Sequence, residues 1–111
     1  MAVLTSQLDR DAEEFARRRE RIRGLCVEEG RDPETLTLSV MLPIALTAAG
    51  RKNLEHVPFR DVALDGSVDD TIEALKEYER VGCERVMLQH LLHEDLETVE
   101  LIGRELVPAL A

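Results

Sequence analysis

Apolar and polar positions alternate along the chain with two different periods, which predicts a succession of helices and strands. Apolar residues recur every three or four positions over residues 9–30, 67–82 and 94–110, which predicts three helices. In the closing helix the predicted apolar stripe consists of Leu92, Leu96, Val99, Gly103, Leu106 and Leu110. Residues 36–46 alternate apolar and polar side chains, and residues 84–90 hold a short continuous apolar run, so both predict strands. The order helix, strand, helix, strand, helix is that of an α/β protein.

Glycine and proline mark where these elements end. Gly30 and Gly82 follow the first two helical patterns directly, and glycine is the usual residue after the C-terminus of a helix. Pro43 lies where the first strand should end, because proline cannot donate a hydrogen bond to a neighbouring strand. Residues 47–65 contain both residue types and sustain no period, so we predict mostly loop there.

The two predicted strands are joined through a helix, so they should be parallel, with a right-handed connection. Parallel sheets normally have both faces covered, and a sheet of two strands leaves both of its edges open. Since 111 residues supply only two such strands, we expect the chain to associate, either with itself or with a complementary chain.

Composition narrows the classes of partner. The net charge of −9 disfavours nucleic acid and anionic membranes, and the 3% share of aromatic residues disfavours base stacking. No apolar run approaches the length that crosses a bilayer, and the first four residues lack the basic flank of a secretory signal. Cys26 and Cys83 each lie singly in apolar patterns, which predicts buried reduced thiols and a cytoplasmic protein.

Candidate binding residues lie at the end of the second strand. Ligands of parallel α/β sheets bind beyond the carboxyl ends of the strands, and here those positions are Gln89 and His90. Gln89 could form a hydrogen bond with a cofactor, and His90 could exchange a proton near neutral pH. The alternative is that Gln89 pairs with nearby loop backbone and that His90 is a solvated residue at the rim.

Other kinds of chemistry find less support in the sequence. No serine or cysteine lies in a nucleophile motif, so no catalytic residue is predicted. His90 and His93 precede Glu94 and Asp95, but no second pair of ligands lies nearby, so we predict no metal site. Gly66 and Ser67 open the second long helix among aspartates, which favours a capping role for Ser67 over phosphate binding.

Several segments resemble the C-terminal part of the bacterial-luciferase-like flavin- or deazaflavin-dependent oxidoreductases. They are GRDPETLTLSVMLPIAL, LDGSVDDTIEALKEYERVGCERV, and RVMLQHL followed by a DLE helix start and the ending LIGRELVPALA. The resemblance implies a (β/α)8 TIM-type barrel, which needs about 250 residues. Residues 1–111 would then form a single partial domain: helix six, strand and helix seven, and strand and helix eight.

The resemblance also implies a cofactor and a reaction. The parent enzymes carry out hydride transfer or monooxygenation with FMN or the deazaflavin coenzyme F420. Most of their cofactor contacts come from earlier strands that this chain does not contain, so we expect the isolated chain to be inactive and to bind no cofactor. Two alternatives remain: a non-catalytic barrel fragment that acts through association, and a small α/β module with a preformed ligand pocket at Gln89 and His90.

Overall fold

A computed structural model describes residues 8–57 and 63–110, which leaves residues 1–7, 58–62 and 111 of the predicted 1–111 domain outside the description. The described chain is mixed α/β with a two-stranded parallel sheet. Its elements are α1 (Leu8–Glu28), a 3₁₀ turn (Pro33–Thr35), β1 (Ser39–Pro43), α2 (Ala48–Leu54), α3 (Val68–Arg80), β2 (Arg85–Gln89), α4 (Leu96–Leu101), a π-helical turn (Ile102–Leu106) and α5 (Val107–Leu110).

The two strands pair in parallel, as the helical connection between them predicts. Val40 lies opposite Val86 and Leu42 opposite Leu88, so these four side chains share one face of the sheet. This face carries the core: Val40 and Leu42 are fully buried, and Val86 and Leu88 pack against them. Met41, on the opposite face, is 38% exposed, so the sheet is covered mainly on one side.

A one-residue bridge extends the sheet beyond β1. Leu64 pairs in parallel with Ile44: its N–H donates to Pro43 O at 2.8 Å, and its carbonyl accepts from Ala45 N at 3.0 Å. On the other side, Ile44 N donates to Gln89 O at 3.0 Å. β1 therefore lies between the bridge and β2, and within residues 8–57 and 63–110 no strand pairs with the far edge of β2.

The prediction of loop over residues 47–65 is wrong in its first part, which forms helix α2. Thr47 caps this helix, because its hydroxyl accepts from Gly50 N at 3.1 Å. The helix has only seven residues and buries only Gly50 and Leu54, so no apolar period is visible in the sequence. Residues 58–62 of the predicted loop lie outside the described residues.

The predicted glycine stop of α1 is confirmed. Gly30 has φ of 77°, a conformation that residues with a Cβ adopt only with strain. Gly30 N donates to Val27 O at 3.1 Å and Arg31 N to Cys26 O at 2.8 Å, which closes the last helical turn. Gly82, with φ of 100°, ends α3 in the same way.

The main core lies between the helices and one face of the sheet. Phe15 of α1 meets Tyr78 of α3 edge to face, with ring centroids 6.1 Å apart. Cys26 and Cys83 are both buried free thiols, as predicted. Among the described residues, no helix combines the length and the apolarity that crossing a bilayer requires.

The predicted apolar stripe of the closing helix is wrong at its N-terminal end. Leu96 is 67% exposed and Val99 is 49% exposed, whereas the polar side chain of Thr98 is fully buried. The error arises because a threonine, which hydropathy places outside, takes the core-facing position in α4. Leu106, further along the same stripe, is 1% exposed and lies in the core as predicted.

The π-helical turn explains how the later positions stay on the core side. Thr98, Ile102, Leu106 and Leu110 are spaced by four, and a regular α-helix would rotate them by about 40° at each step. A π-turn winds more slowly, because its hydrogen bonds span five residues, and it offsets this drift at Ile102–Leu106.

We predict that Leu106→Ala lowers the free energy of unfolding by roughly 2–5 kcal/mol, because truncation of a fully buried leucine leaves a cavity. Urea denaturation followed by circular dichroism measures the change. Val107→Ala is the matched control, since Val107 is 57% exposed on the same helix. Equal losses in the two variants would mean that the core side of this helix is misassigned.

Candidate functional site

The carboxyl ends of β1 and β2 lie side by side, because Pro43 pairs with Gln89 in the register of the sheet. The predicted binding residues Gln89 and His90 therefore adjoin the segment that leaves β1. Both residues are half-buried. Within the described residues the side-chain amide of Gln89 has no hydrogen-bond partner, so both its donor and its acceptor remain available.

A carboxylate joins the two strand ends. Asp95 Oδ2 accepts from Thr47 Oγ1 at 2.5 Å and from Thr98 Oγ1 at 2.6 Å, and Asp95 Oδ1 accepts from Thr98 N at 3.2 Å. Asp95 thus caps α4 and also bonds the N-cap residue of α2, 48 positions earlier in the chain. We name Thr47, Asp95 and Thr98 the Asp95 cluster.

Thr98 carries the connection to the sheet. Its hydroxyl accepts from Leu46 N at 3.2 Å while it donates to Asp95, so both of its functions are used in a fully buried position. The cluster also needs a glycine in α2. A Cβ at Gly50 would lie 2.9 Å from Asp95 Oδ2 and 3.0 Å from Ala45 Cβ, closer than packed atoms approach.

His90 lies close enough to Asp95 for its charge to favour the ionised carboxyl. His90 Nε2 is enclosed by protein and has no hydrogen-bond partner among the described residues. The imidazole is therefore a partly enclosed group beside the Asp95 cluster, which differs from the fully solvated rim residue of the alternative interpretation.

The electrostatics of Asp95 favour its ionised form. Burial is the largest single influence and would raise the pKa of the carboxyl, but the hydrogen bonds from Thr47 and Thr98 together outweigh it. The nearby His90 acts in the same direction as these hydrogen bonds, and the pKa of Asp95 lies below its ordinary value. The carboxylate therefore accepts from both threonines at neutral pH.

The residues at the strand ends differ in which of their polar groups are already hydrogen-bonded. Asp95 already accepts three hydrogen bonds and has a lowered pKa, so it is an anchor and a poor general base. His90 keeps a ring nitrogen without a partner, and Gln89 keeps its amide. Gln89 can therefore bond to a ligand through its amide, whereas His90 Nε2 would first have to be uncovered.

Other candidate chemistry lies apart from this site. His93 is exposed and approaches Glu94 at 3.7 Å, and the described residues contain no group of three or more possible metal ligands. Ser67 and Asp70 form a reciprocal capping box at the start of α3, which confirms the capping role predicted for Ser67. Burial raises the pKa of the Cys83 thiol, so this cysteine is a weak nucleophile.

A cavity of about 690 Å³ lies along α3 and reaches Leu64, which pairs with Ile44 just beyond β1. The lining of this cavity is net negative, because it contains one cationic residue, Lys76, and four carboxylates, from Asp65, Asp70, Glu73 and Glu77. Such a surface repels phosphate, so it does not suit the phosphate of FMN.

Sequence reasoning missed Thr47 and Thr98 and assigned Asp95 only a favourable place near a helix start. A signal was present, because Asp95 precedes Thr98 by three positions, the spacing of a cap and its partner. The long-range bond from Thr47 has no comparable signal, since it depends on the parallel pairing of two strands distant in sequence.

Comparisons with known proteins add no relative. No family model matches the chain, and no curated protein or solved structure is significantly similar to it. The luciferase-like resemblance therefore stays a prediction.

We predict that the Asp95 cluster makes the free energy of unfolding fall as the pH is lowered in the acid range. The stabilisation is fully present above the unfolded aspartate pKa of about 3.9. It is lost as the pH falls through the lower pKa of folded Asp95. Asp95→Asn should lose roughly 1.5–3 kcal/mol at neutral pH, because hydrogen bonds to a charged acceptor are lost.

Urea unfolding at a series of pH values measures both effects. Asp95→Asn should show a smaller loss of stability on acidification than the parent chain. Glu100→Gln, at an exposed position of α4, is the control and should follow the parent curve. Parallel acid profiles for the parent and Asp95→Asn would remove Asp95 from this role.

Proposed function

We propose that this chain is the C-terminal segment of a luciferase-like flavin- or deazaflavin-dependent oxidoreductase barrel and is inactive alone. The observation that carries the proposal is a parallel sheet whose strands alternate with helices and which is covered more fully on one face than on the other, where Met41 is exposed and Met87 is half-buried. Parallel strands are normally buried on both faces, so this sheet supports a larger barrel whose remaining strands lie outside residues 1–111.

The less covered face of the sheet carries side chains of the kind found in a barrel interior. Met41 lies opposite Met87 there, and by the alternation of strand residues Gln89 belongs to the same face. Met41 is exposed and Met87 is half-buried. Apolar side chains at this position fill the centre of a closed barrel, with polar groups at the carboxyl ends of its strands.

The outer surface supports the same proposal. Leu96, Val99 and Val107 of the closing helix are all about half exposed or more. With Gly103 they follow steps of three and four, which place them along one side of the helix. In a barrel a neighbouring helix would cover such a stripe.

In the completed barrel, Gln89 and His90 would lie beside the cofactor. FMN or the deazaflavin coenzyme F420 would supply the hydride chemistry, and protein groups would bind and orient it. The amide of Gln89 and the ring nitrogen of His90 fit the polar edge of such a ring system. The phosphate contact would come from the missing strands.

The less covered face, which carries Met41 and Met87, also favours a second candidate. This candidate is a non-catalytic barrel fragment that acts through association. This candidate requires a stable assembly without any complementary chain. Sedimentation analysis separates the two: a stable homo-oligomer that binds no flavin would favour the association protein, and a chain that assembles only with its complement would favour the split enzyme.

The decisive experiment supplies the missing strands. The chain would be co-expressed with a luciferase-like oxidoreductase truncated after its sixth strand, and FMN and F420 binding would be followed by fluorescence. We expect copurification and saturable binding by the complex, whereas neither half binds alone. Copurification without binding of either coenzyme would overturn the oxidoreductase proposal and leave the association protein.

Variants then test the candidate residues. Gln89→Leu and His90→Leu should weaken coenzyme binding by the complex without preventing copurification, because each removes a polar group at the strand ends. His93→Leu is the matched control, since His93 is almost fully exposed. Equal affinity in all three variants would exclude Gln89 and His90 from the site.

A further inference from the structure

The far edge of β2 offers unpaired backbone groups. Gln89 O accepts from Ile44 N and therefore faces β1. Successive residues of a strand direct their backbone groups to opposite sides, and the register is continuous over β2. Met87 therefore faces β1 as well, and Val86 and Leu88 direct their N–H and C=O groups to the far edge. In the described part of the chain no strand pairs with them.

A groove with a mixed apolar and charged lining lies beside this edge. It has a volume of about 250 Å³, and its apolar lining comes from Leu75 of α3, Val86 and Leu88 of β2, and Leu110 of α5. The two residues with outward backbone groups thus also line the groove with their side chains. An extended segment that pairs with β2 would place every second side chain in it.

The charge of the rim favours a basic occupant. Glu79 and Glu84 lie at the groove and are exposed, and neither is in an ion pair within the described residues. Arg85 also reaches the groove, so the charged lining is net negative. A second copy would bring another net charge of −9 to this surface, whereas lysine or arginine would complement it.

We propose that the far edge of β2 and this groove together bind an extended apolar segment with basic flanks from a partner chain. The segment adds a strand beside β2, exchanges backbone hydrogen bonds with Val86 and Leu88, and directs alternate apolar side chains into the groove. The inference rests on the proposed function, because a chain that completes the barrel would supply such a strand.

A synthetic heptapeptide tests the surface without any coenzyme. The probe is acetyl-Lys-Val-Thr-Val-Thr-Val-Lys-amide, and amide hydrogen exchange by NMR follows its binding. We expect saturable slowing of exchange at Val86 and Leu88, while Met87, already paired with β1, changes little. Binding without slower exchange at Val86 and Leu88 would overturn strand addition, and so would the absence of binding.

Two sets of variants test the groove and its charge. Leu110→Arg should abolish binding by filling the groove, and Val27→Arg, at an exposed position of α1, should not. Glu79→Lys with Glu84→Lys should weaken binding about tenfold at low salt, whereas Glu100→Lys should not. A peptide with glutamate at both ends should bind more weakly than the probe, and equal affinity would overturn the role of charge.

The outcomes separate this inference from the proposed function. Strand addition with no coenzyme binding by the complemented barrel would support a binding site at the far edge of β2 and overturn the oxidoreductase proposal. Coenzyme binding by the complex, with no probe binding and unchanged exchange at Val86 and Leu88, would exclude strand addition to the far edge of β2 and leave the oxidoreductase proposal standing.

Discussion

Parallel pairing of β1 and β2 is the constraint on which the rest of the structure depends. Two parallel strands cannot be joined by a tight turn, so the chain must cross over from one end of the sheet to the other. Here the crossover contains α2 and α3, and α3 packs with α1 and the closing helix over a single face. Within the described residues these helices pack over one face of the sheet, and Met41 on the other face is 38% exposed.

The same pairing creates the Asp95 cluster. Parallel strands end at the same edge, so the residues that follow β1 meet those that follow β2 although 48 positions separate Thr47 from Asp95. Gly50 allows α2 to approach, and Thr98 is buried to bond both the carboxylate and Leu46 N. The cluster therefore fixes the two loops that border Gln89 and His90, and these two residues keep their polar groups free of internal partners.

Local physics explains which parts of this fold could be predicted from the sequence. The long helix α3, its Ser67 cap and its Gly82 stop follow from patterns within one segment. Helix α2 could not be predicted in this way, because seven residues with two buried positions show no apolar period. The core side of α4 was not predicted because a buried threonine, Thr98, takes the place of an apolar residue. The hydrogen bonds that satisfy its hydroxyl involve Asp95 and Leu46 N, and only the folded sheet brings Leu46 near. The position of Gln89 and His90 at the strand ends could be predicted because it follows from parallel topology alone.

The sequence of β2 is compatible with the proposed partner strand at its far edge. Proteins that leave a strand edge in water protect it with proline, lysine, a bulge or a covering loop. β2 is Arg-Val-Met-Leu-Gln, with a continuous register, no proline and no lysine. Arg85 alone offers some protection, and it lies at the first position, away from Leu88. An edge with so little protection, beside the groove that Val86 and Leu88 line, supports the proposal that a partner strand covers it.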